Sequence, residues 1–148
     1  MLKKTAILII LLLFAIQLIS VDKINPPIDN TLTLKAPQEV INILKHSCYD
    51  CHSDETKWPY YSDIAPISFF VVSHVNNGRK AMNFSLWYKM DKEIKIQRLK
   101  SAVETVNNGR MALPSYLYAH KEAELSKDKK TILTTWFKKE LENIDSIK

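Results

Sequence analysis

The stretch Cys48-Tyr49-Asp50-Cys51-His52 is the part of this 148-residue chain from which its fold and chemistry are best inferred. It is a Cys-x-x-Cys-His sequence, the attachment sequence for haem c. Two thiols one helical turn apart can form thioether bonds to the two vinyl groups of one porphyrin. The imidazole of the next residue then lies beneath the iron as its proximal ligand. The motif therefore predicts one covalent haem c, held by Cys48 and Cys51 and ligated by His52.

Cysteine and glycine are both scarce, since each occurs only twice in the chain. Two cysteines are too few for a disulfide-dense scaffold, and two glycines exclude glycine-rich phosphate-binding loops and collagen-like repeats. The glycines, Gly78 and Gly109, lie in two identical Val-Asn-Asn-Gly-Arg strings. We interpret each glycine as the left-handed residue that ends a helix.

Three other interpretations use the residues of the motif. The two cysteines could form a simple disulfide in an oxidising compartment. They could also form a thioredoxin-like redox pair, although such a pair would need a preceding strand and a parallel sheet, which the sequence does not indicate. A zinc site could use Cys48, Cys51 and His52 together with His46, but no second pair of ligands lies downstream, as zinc-binding folds usually have.

The N-terminus is a short basic start followed by an apolar segment. Residues 5–21 carry no charged side chain, and as a helix they would be about 26 Å long, just enough to cross a thin bilayer. We interpret residues 1–21 as an uncleaved signal anchor in the bacterial cytoplasmic membrane, with a cleaved signal peptide and a soluble periplasmic protein as the alternative. Because Lys3 and Lys4 are expected to stay in the cytoplasm, the rest of the chain would face the periplasm.

The remaining residues divide into a tether and a domain. Residues 22–36 contain Pro26-Pro27 and no helical periodicity, so they are expected to be an extended tether. Residues 37–148 are predicted to form an all-α domain of four to five helices, because apolar residues recur at spacings of three and four without a strand pattern. Pro37 suits the first turn of the helix that leads into the motif, and Pro66 opens the next helix. The predicted caps of the later helices are Ser85, Asp91 and Ser126.

A second axial ligand is usual for haem c in electron carriers, and methionine and histidine are the candidates. Met111 is preferred, because it follows the helix stop at Gly109 and lies on a loop that Pro114 stiffens. His74 is the alternative distal ligand, since it lies on the apolar face of its predicted helix. His120 is expected to be exposed, because its neighbours in the chain are charged.

The charge pattern argues against nucleic acid as a partner. The net charge is +5 at pH 7, and basic residues alternate with acidic ones without forming a dense stripe. Arg79 and Arg110 follow the two glycines. Each could pair with a haem propionate, because arginine makes bidentate contacts to carboxylates, or could be a solvated residue at a helix end.

Beyond the motif, the sequence resembles the bacterial haem-binding domain family of small, N-terminally anchored, c-type-cytochrome-like proteins. The matching stretches are Cys48–Ser53, Thr56–Ser62 with Ile64–Pro66, His74–Val75 with Gly78–Arg79, Asn83–Ser85 with Trp87, and Leu113–Tyr116 with His120. The resemblance covers about Pro37 to Phe137, and it implies that Cys48 and Cys51 hold the haem and that His52 ligates it. Met111 fits the family's methionine position, and Ala112 stands where the family has proline.

These observations together predict a membrane-tethered, periplasm-facing monohaem protein that carries single electrons between redox partner proteins and is not an enzyme. The alternative is a sensing module with a five-coordinate or weakly capped iron that binds a small gas or peroxide. A thiol-disulfide oxidoreductase is the third class, and it would require Cys48 and Cys51 to be free.

Overall fold

The computed structural model describes residues 2–146, and all regular structure in that range is helical. The helices are α1 (Leu2–Ala15), α2 (Gln38–Ser47), α3 (Tyr49–His52), α4 (Ile67–Ala81), α5 (Lys92–Asn107), α6 (Pro114–Ala119) and α7 (Lys127–Ser146). Short 3-10 turns lie at Ile16–Leu18, Tyr60–Asp63, Phe84–Lys89 and Lys121–Ala123. The all-α prediction is confirmed. Helices α2, α4, α5 and α7 are the long helices of the predicted domain, and α3 and α6 are short additions.

After Lys3 and Lys4, helix α1 is apolar on all sides, and its large apolar side chains are exposed. Among residues 2–146, no helix combines the length and the apolar character needed to cross a membrane. The signal anchor assigned to residues 1–21 therefore stays a prediction, and Met1 lies outside the described residues.

The segment between α1 and α2 lacks regular helix beyond Leu18, and it is joined to the domain by specific contacts. The buried Leu34 donates its N–H to the carbonyl of Phe84 at 2.8 Å, and the N–H of Tyr88 donates to the carbonyl of Leu32 at 2.9 Å. The side-chain amide of Asn25 donates to a carbonyl in the loop after the motif. The extended backbone of residues 22–36 therefore lies against the domain.

The core lies where α2, α5 and α7 meet. Leu44 of α2, Leu99 of α5 and Leu133 of α7 are fully buried, and Phe84 and Trp87 pack into the same cluster. Full burial of one such side chain stabilises the fold by roughly 1.5–3 kcal/mol relative to leaving it exposed. This core holds the end of α2, and with it the start of the motif, in a defined position.

Of the three predicted helix caps, one forms its capping hydrogen bond and two do not. Ser126 accepts a hydrogen bond from the N–H of Lys129 at 3.3 Å, so the predicted cap of α7 is confirmed. The prediction for Ser85 is wrong, because the side chain of Asn83 caps the turn by accepting from the N–H of Ser85 at 2.9 Å. Asp91 occupies the predicted capping position of α5 without a side-chain capping bond.

The two Val-Asn-Asn-Gly-Arg strings fold differently. Gly109 has a φ of +72° just after α5, so the prediction of a helix stop there is confirmed. The same prediction for Gly78 is wrong, because α4 continues through it to Ala81. A Cβ atom at Gly78 would lie 2.2 Å from the carbonyl oxygen of Cys51. Glycine is required there because α4 packs directly on the backbone of the motif.

Candidate cofactor site

A mostly apolar cavity of about 350 Å³ opens between α3, α4, α5 and the segment that follows α5. Its volume falls within the range of roughly 300–1,000 Å³ that is typical of small-molecule and cofactor sites. The predicted ligands all contribute to its lining: Cys48, Cys51, His52, His74 and Met111. The fold therefore brings candidate ligands from three separate segments of the chain to one site.

The motif lies at a break between two helices. Helix α2 ends at Ser47, Cys48 adopts a non-helical φ of −132°, and α3 is a single turn. The N–H of His52 donates to the carbonyl of Cys48 at 2.9 Å, which closes that turn. The two thiols are not joined by a disulfide, and both line the cavity. The structure thus gives no support to the simple disulfide.

Burial of the two thiols works against a redox-active pair. Burial raises the pKa of the Cys48 thiol to about 12 and the pKa of the Cys51 thiol to about 11. Redox-active cysteines have lowered pKa values, because the thiolate is the reactive form. The zinc alternative also lacks support, since His46 is exposed. Within residues 2–146 no three His, Cys, Asp or Glu side chains are grouped to hold a metal ion.

The imidazole of His52 is oriented by the chain just after α4. Its Nδ1 lies 2.9 Å from the carbonyl oxygen of Met82. A carbonyl can only accept, so Nδ1 carries the proton and Nε2 keeps its lone pair, the arrangement typical of a histidine that ligates a metal. Burial lowers the pKa of His52, which favours the neutral imidazole that ligation needs.

Both candidates for the distal ligand reach the cavity. Met111 is partly buried, and its N–H donates to the carbonyl of Thr105 at 3.1 Å, which ties it to the last turn of α5. His74 lies one turn before Gly78 on α4, and its Nδ1 is 2.8 Å from the carbonyl of Phe70, which leaves Nε2 available. The preference for Met111 over His74 stays a prediction.

Helix α6 is tied to the motif by a tyrosine for which the sequence suggested no role. Tyr116 donates its hydroxyl proton to the carboxylate of Asp50, an inner residue of the motif, at 2.7 Å. The ring of His120 stacks on Tyr116 at 4.4 Å, and its Nε2 lies 2.7 Å from the hydroxyl of Tyr61. The expectation that His120 is exposed is wrong, because these two tyrosines enclose its ring and leave 20% of the side chain exposed.

The two arginines predicted as propionate partners are engaged elsewhere. Arg79 donates to the carbonyls of Ser53 and Ile24 at 2.8 and 2.7 Å, and its remaining donors contact Asn25 and Thr56. It therefore joins the segment before α2 to the loop after the motif, and it is neither in the cavity nor solvated. Arg110 forms an ion pair with Glu104 at 2.7 Å on the surface.

Arg98 is the arginine that does reach the cavity, and sequence reasoning did not identify it. Its Nε is buried and has no hydrogen-bond partner among the residues that the structure describes. Its spacing from Ala102 and Thr105, which also line the cavity, places all three on one face of α5. That spacing was the signal available in the sequence.

The donor set fits a haem. Two thiols, one oriented imidazole and one guanidinium whose Nε has no partner among residues 2–146 line a mostly apolar cavity, and these groups are complementary to the vinyl groups, the iron and the carboxylates of one porphyrin. A family model described as a haem-binding domain matches residues 11–139, which include every predicted ligand. No curated protein and no solved structure matches the chain.

Proposed function

This chain belongs to the haem-binding domain family, and from that premise we propose that it is a monohaem c-type protein that carries single electrons and is not an enzyme. The observation that carries the proposal is the meeting of Cys48, Cys51 and the lone pair of His52 at one cavity. When bound, haem supplies a one-electron Fe(III)/Fe(II) couple. The chain itself supplies attachment through the two thiols, ligation through an imidazole that Met82 orients, and exclusion of water through an apolar lining.

We further propose that the domain faces the periplasm, where residues 5–21 tether it to the cytoplasmic membrane. The basic start followed by an uncharged segment supports this orientation. A carrier held at the membrane surface meets its redox partner proteins by diffusing in two dimensions. Cell fractionation with protease added from the periplasmic side tests the location. We expect added protease to degrade the domain in spheroplasts and to leave it intact in whole cells. After lysis of untreated cells, the protein should be found in the membrane fraction.

The full chain, expressed with a machinery for haem c maturation, tests the central proposal. We expect haem to stay with the polypeptide in a denaturing gel and the reduced protein to have a low-spin c-type spectrum. A haem-free chain under these conditions would contradict the proposal. If instead the haem-loaded ferrous protein binds carbon monoxide without denaturation, the iron is open and the sensing module is favoured over the carrier.

Replacing the preferred distal ligand, Met111, tests whether the iron has a sixth ligand from the protein. Met111→Leu is expected to remove completely the charge-transfer absorption that methionine gives when it ligates Fe(III), since leucine keeps the apolar volume and lacks the sulfur. Met90→Leu is the matched control, because Met90 packs on the core and does not line the cavity. Survival of the band in Met111→Leu would exclude Met111 and point to the other methionine of the lining, Met82. If the band is already absent from the wild type, loss of the low-spin signal in His74→Ala would assign the ligand to His74.

A further inference from the structure

Arg98 is the one lysine or arginine among the described residues that line the cavity. Its side chain is partly exposed, but the Nε atom is buried, and the guanidinium makes no ion pair within residues 2–146. The acidic residue of the lining, Asp50, accepts hydrogen bonds from Tyr116 and from the N–H of Lys57 instead. The guanidinium of Arg98 thus has a donor without a partner, and no acidic side chain of the cavity pairs with it.

A buried donor without a partner is unfavourable, because its lost hydration is not replaced. Buried polar groups in folded proteins are rarely left unpaired, so an exception at a ligand cavity points to a group on the ligand. A guanidinium is matched by a planar carboxylate, which it can bind through two parallel hydrogen bonds. Arg79 and Arg110, the other arginines considered as partners of a propionate, form their hydrogen bonds outside the cavity.

We propose that Arg98 binds a propionate carboxylate of the haem. This inference rests on the proposed function and names the residue that recognises the acidic edge of the cofactor. The other titratable residues of the lining are Cys48, Asp50, Cys51, His52, His74 and Tyr116. Thiol, phenol and carboxylate groups become negative on ionisation, so they cannot offset a carboxylate. The two histidines are assigned to the iron, His52 as the proximal ligand and His74 as the alternative distal ligand. Arg98 is therefore the group that offsets the negative charge of the propionate and keeps it ionised.

The charge of Arg98 would then act on the iron. A carboxylate whose charge is offset stabilises Fe(III) less than an uncompensated carboxylate does. Loss of Arg98 should lower the midpoint potential, because the uncompensated negative charge favours the ferric state. It should also let the propionate gain a proton as the pH falls, so that the potential becomes dependent on pH where it was flat.

The haem-loaded full chain carrying Arg98→Met tests this, with Lys100→Met as the matched control. Lys100 is an exposed residue of the same helix, so its replacement removes the same charge away from the cavity. We expect Arg98→Met to shift the midpoint potential downward and to introduce a pH dependence, while Lys100→Met reproduces the wild type. Arg98→Lys should restore part of the shift, because it returns the charge without the planar fork.

Thermal unfolding of the haem-free and haem-loaded chains shows whether Arg98 binds the haem or only stabilises the fold. Arg98→Met should leave the haem-free chain as stable as the wild type or more stable, since it removes an unpartnered buried donor, and should lower the melting temperature of the haem-loaded chain. Equal losses in both forms, or potentials identical to those of Lys100→Met, would overturn the assignment of Arg98 alone. A wild-type chain that retains no haem would overturn the proposed function, and this inference with it.

Discussion

Replacing Cys48 and Cys51 together with serine is expected to abolish covalent attachment of haem. Serine keeps the size and polarity of the side chain, but its oxygen does not form the thioether bonds that the two cysteines are proposed to make with the porphyrin. The measurement is haem staining of a denaturing gel, supported by the intact mass of the protein. We expect a loss of all covalent haem in the double variant and a single remaining thioether in each single variant.

Met111→Leu is the control for this experiment, because it alters a predicted ligand and leaves both thiols in place. It should retain covalent haem in full while its spectrum changes, so attachment and ligation are measured separately. Haem that remains bound to the denatured double variant would contradict the assignment of Cys48 and Cys51. If the double variant does not accumulate, its level is compared with that of the wild type expressed without haem maturation. Both chains then lack the cofactor, so equal levels show that the loss follows from the missing haem and not from the serines.

Replacing Gly78 with alanine is expected to destabilise the domain by about 3 kcal/mol, the upper part of the usual range for overpacking. An alanine in a helix is ordinarily favoured over glycine by about 1 kcal/mol. Here the added Cβ would meet the carbonyl oxygen of Cys51 at 2.2 Å, and backbone cannot move aside as a flexible side chain can. The measurement is the free energy of unfolding in urea. A separation of α4 from α3 would also loosen the hydrogen bond between His52 and Met82.

Gly109 provides the matched comparison, because it lies in an identical five-residue string and a Cβ atom added to it would have open space around it. Its requirement is a positive φ, which asparagine tolerates better than alanine does. We therefore expect Gly109→Asn to cost less than about 1 kcal/mol and Gly78→Asn to be at least as damaging as Gly78→Ala. A neutral or stabilising Gly78→Ala would show that α4 and the motif do not pack as closely as described.

Local sequence was sufficient to predict the class of fold, and the proposal of covalent attachment also rests on it. Cys48, Cys51 and His52 are contiguous, so their spacing alone places two thiols and an imidazole on one turn. The helical class also follows from apolar spacing, which depends on near neighbours in the chain. The stop at Gly109 was predictable for the same reason, since a left-handed residue ends a helix through hydrogen bonds within its own last turn.

Contacts between distant segments decided the rest. The string around Gly78 is identical to the string around Gly109, yet α4 continues through it because it packs against the backbone of Cys51. Arg79 and Arg110 follow the two glycines alike, but the groups that they contact are set by the path of the chain, and Arg98 reaches the cavity instead. The sequence alone identified the groups that are proposed to attach and ligate a haem. Only the tertiary structure decided which of the others face the cavity, because burial and pairing depend on residues far apart in the chain.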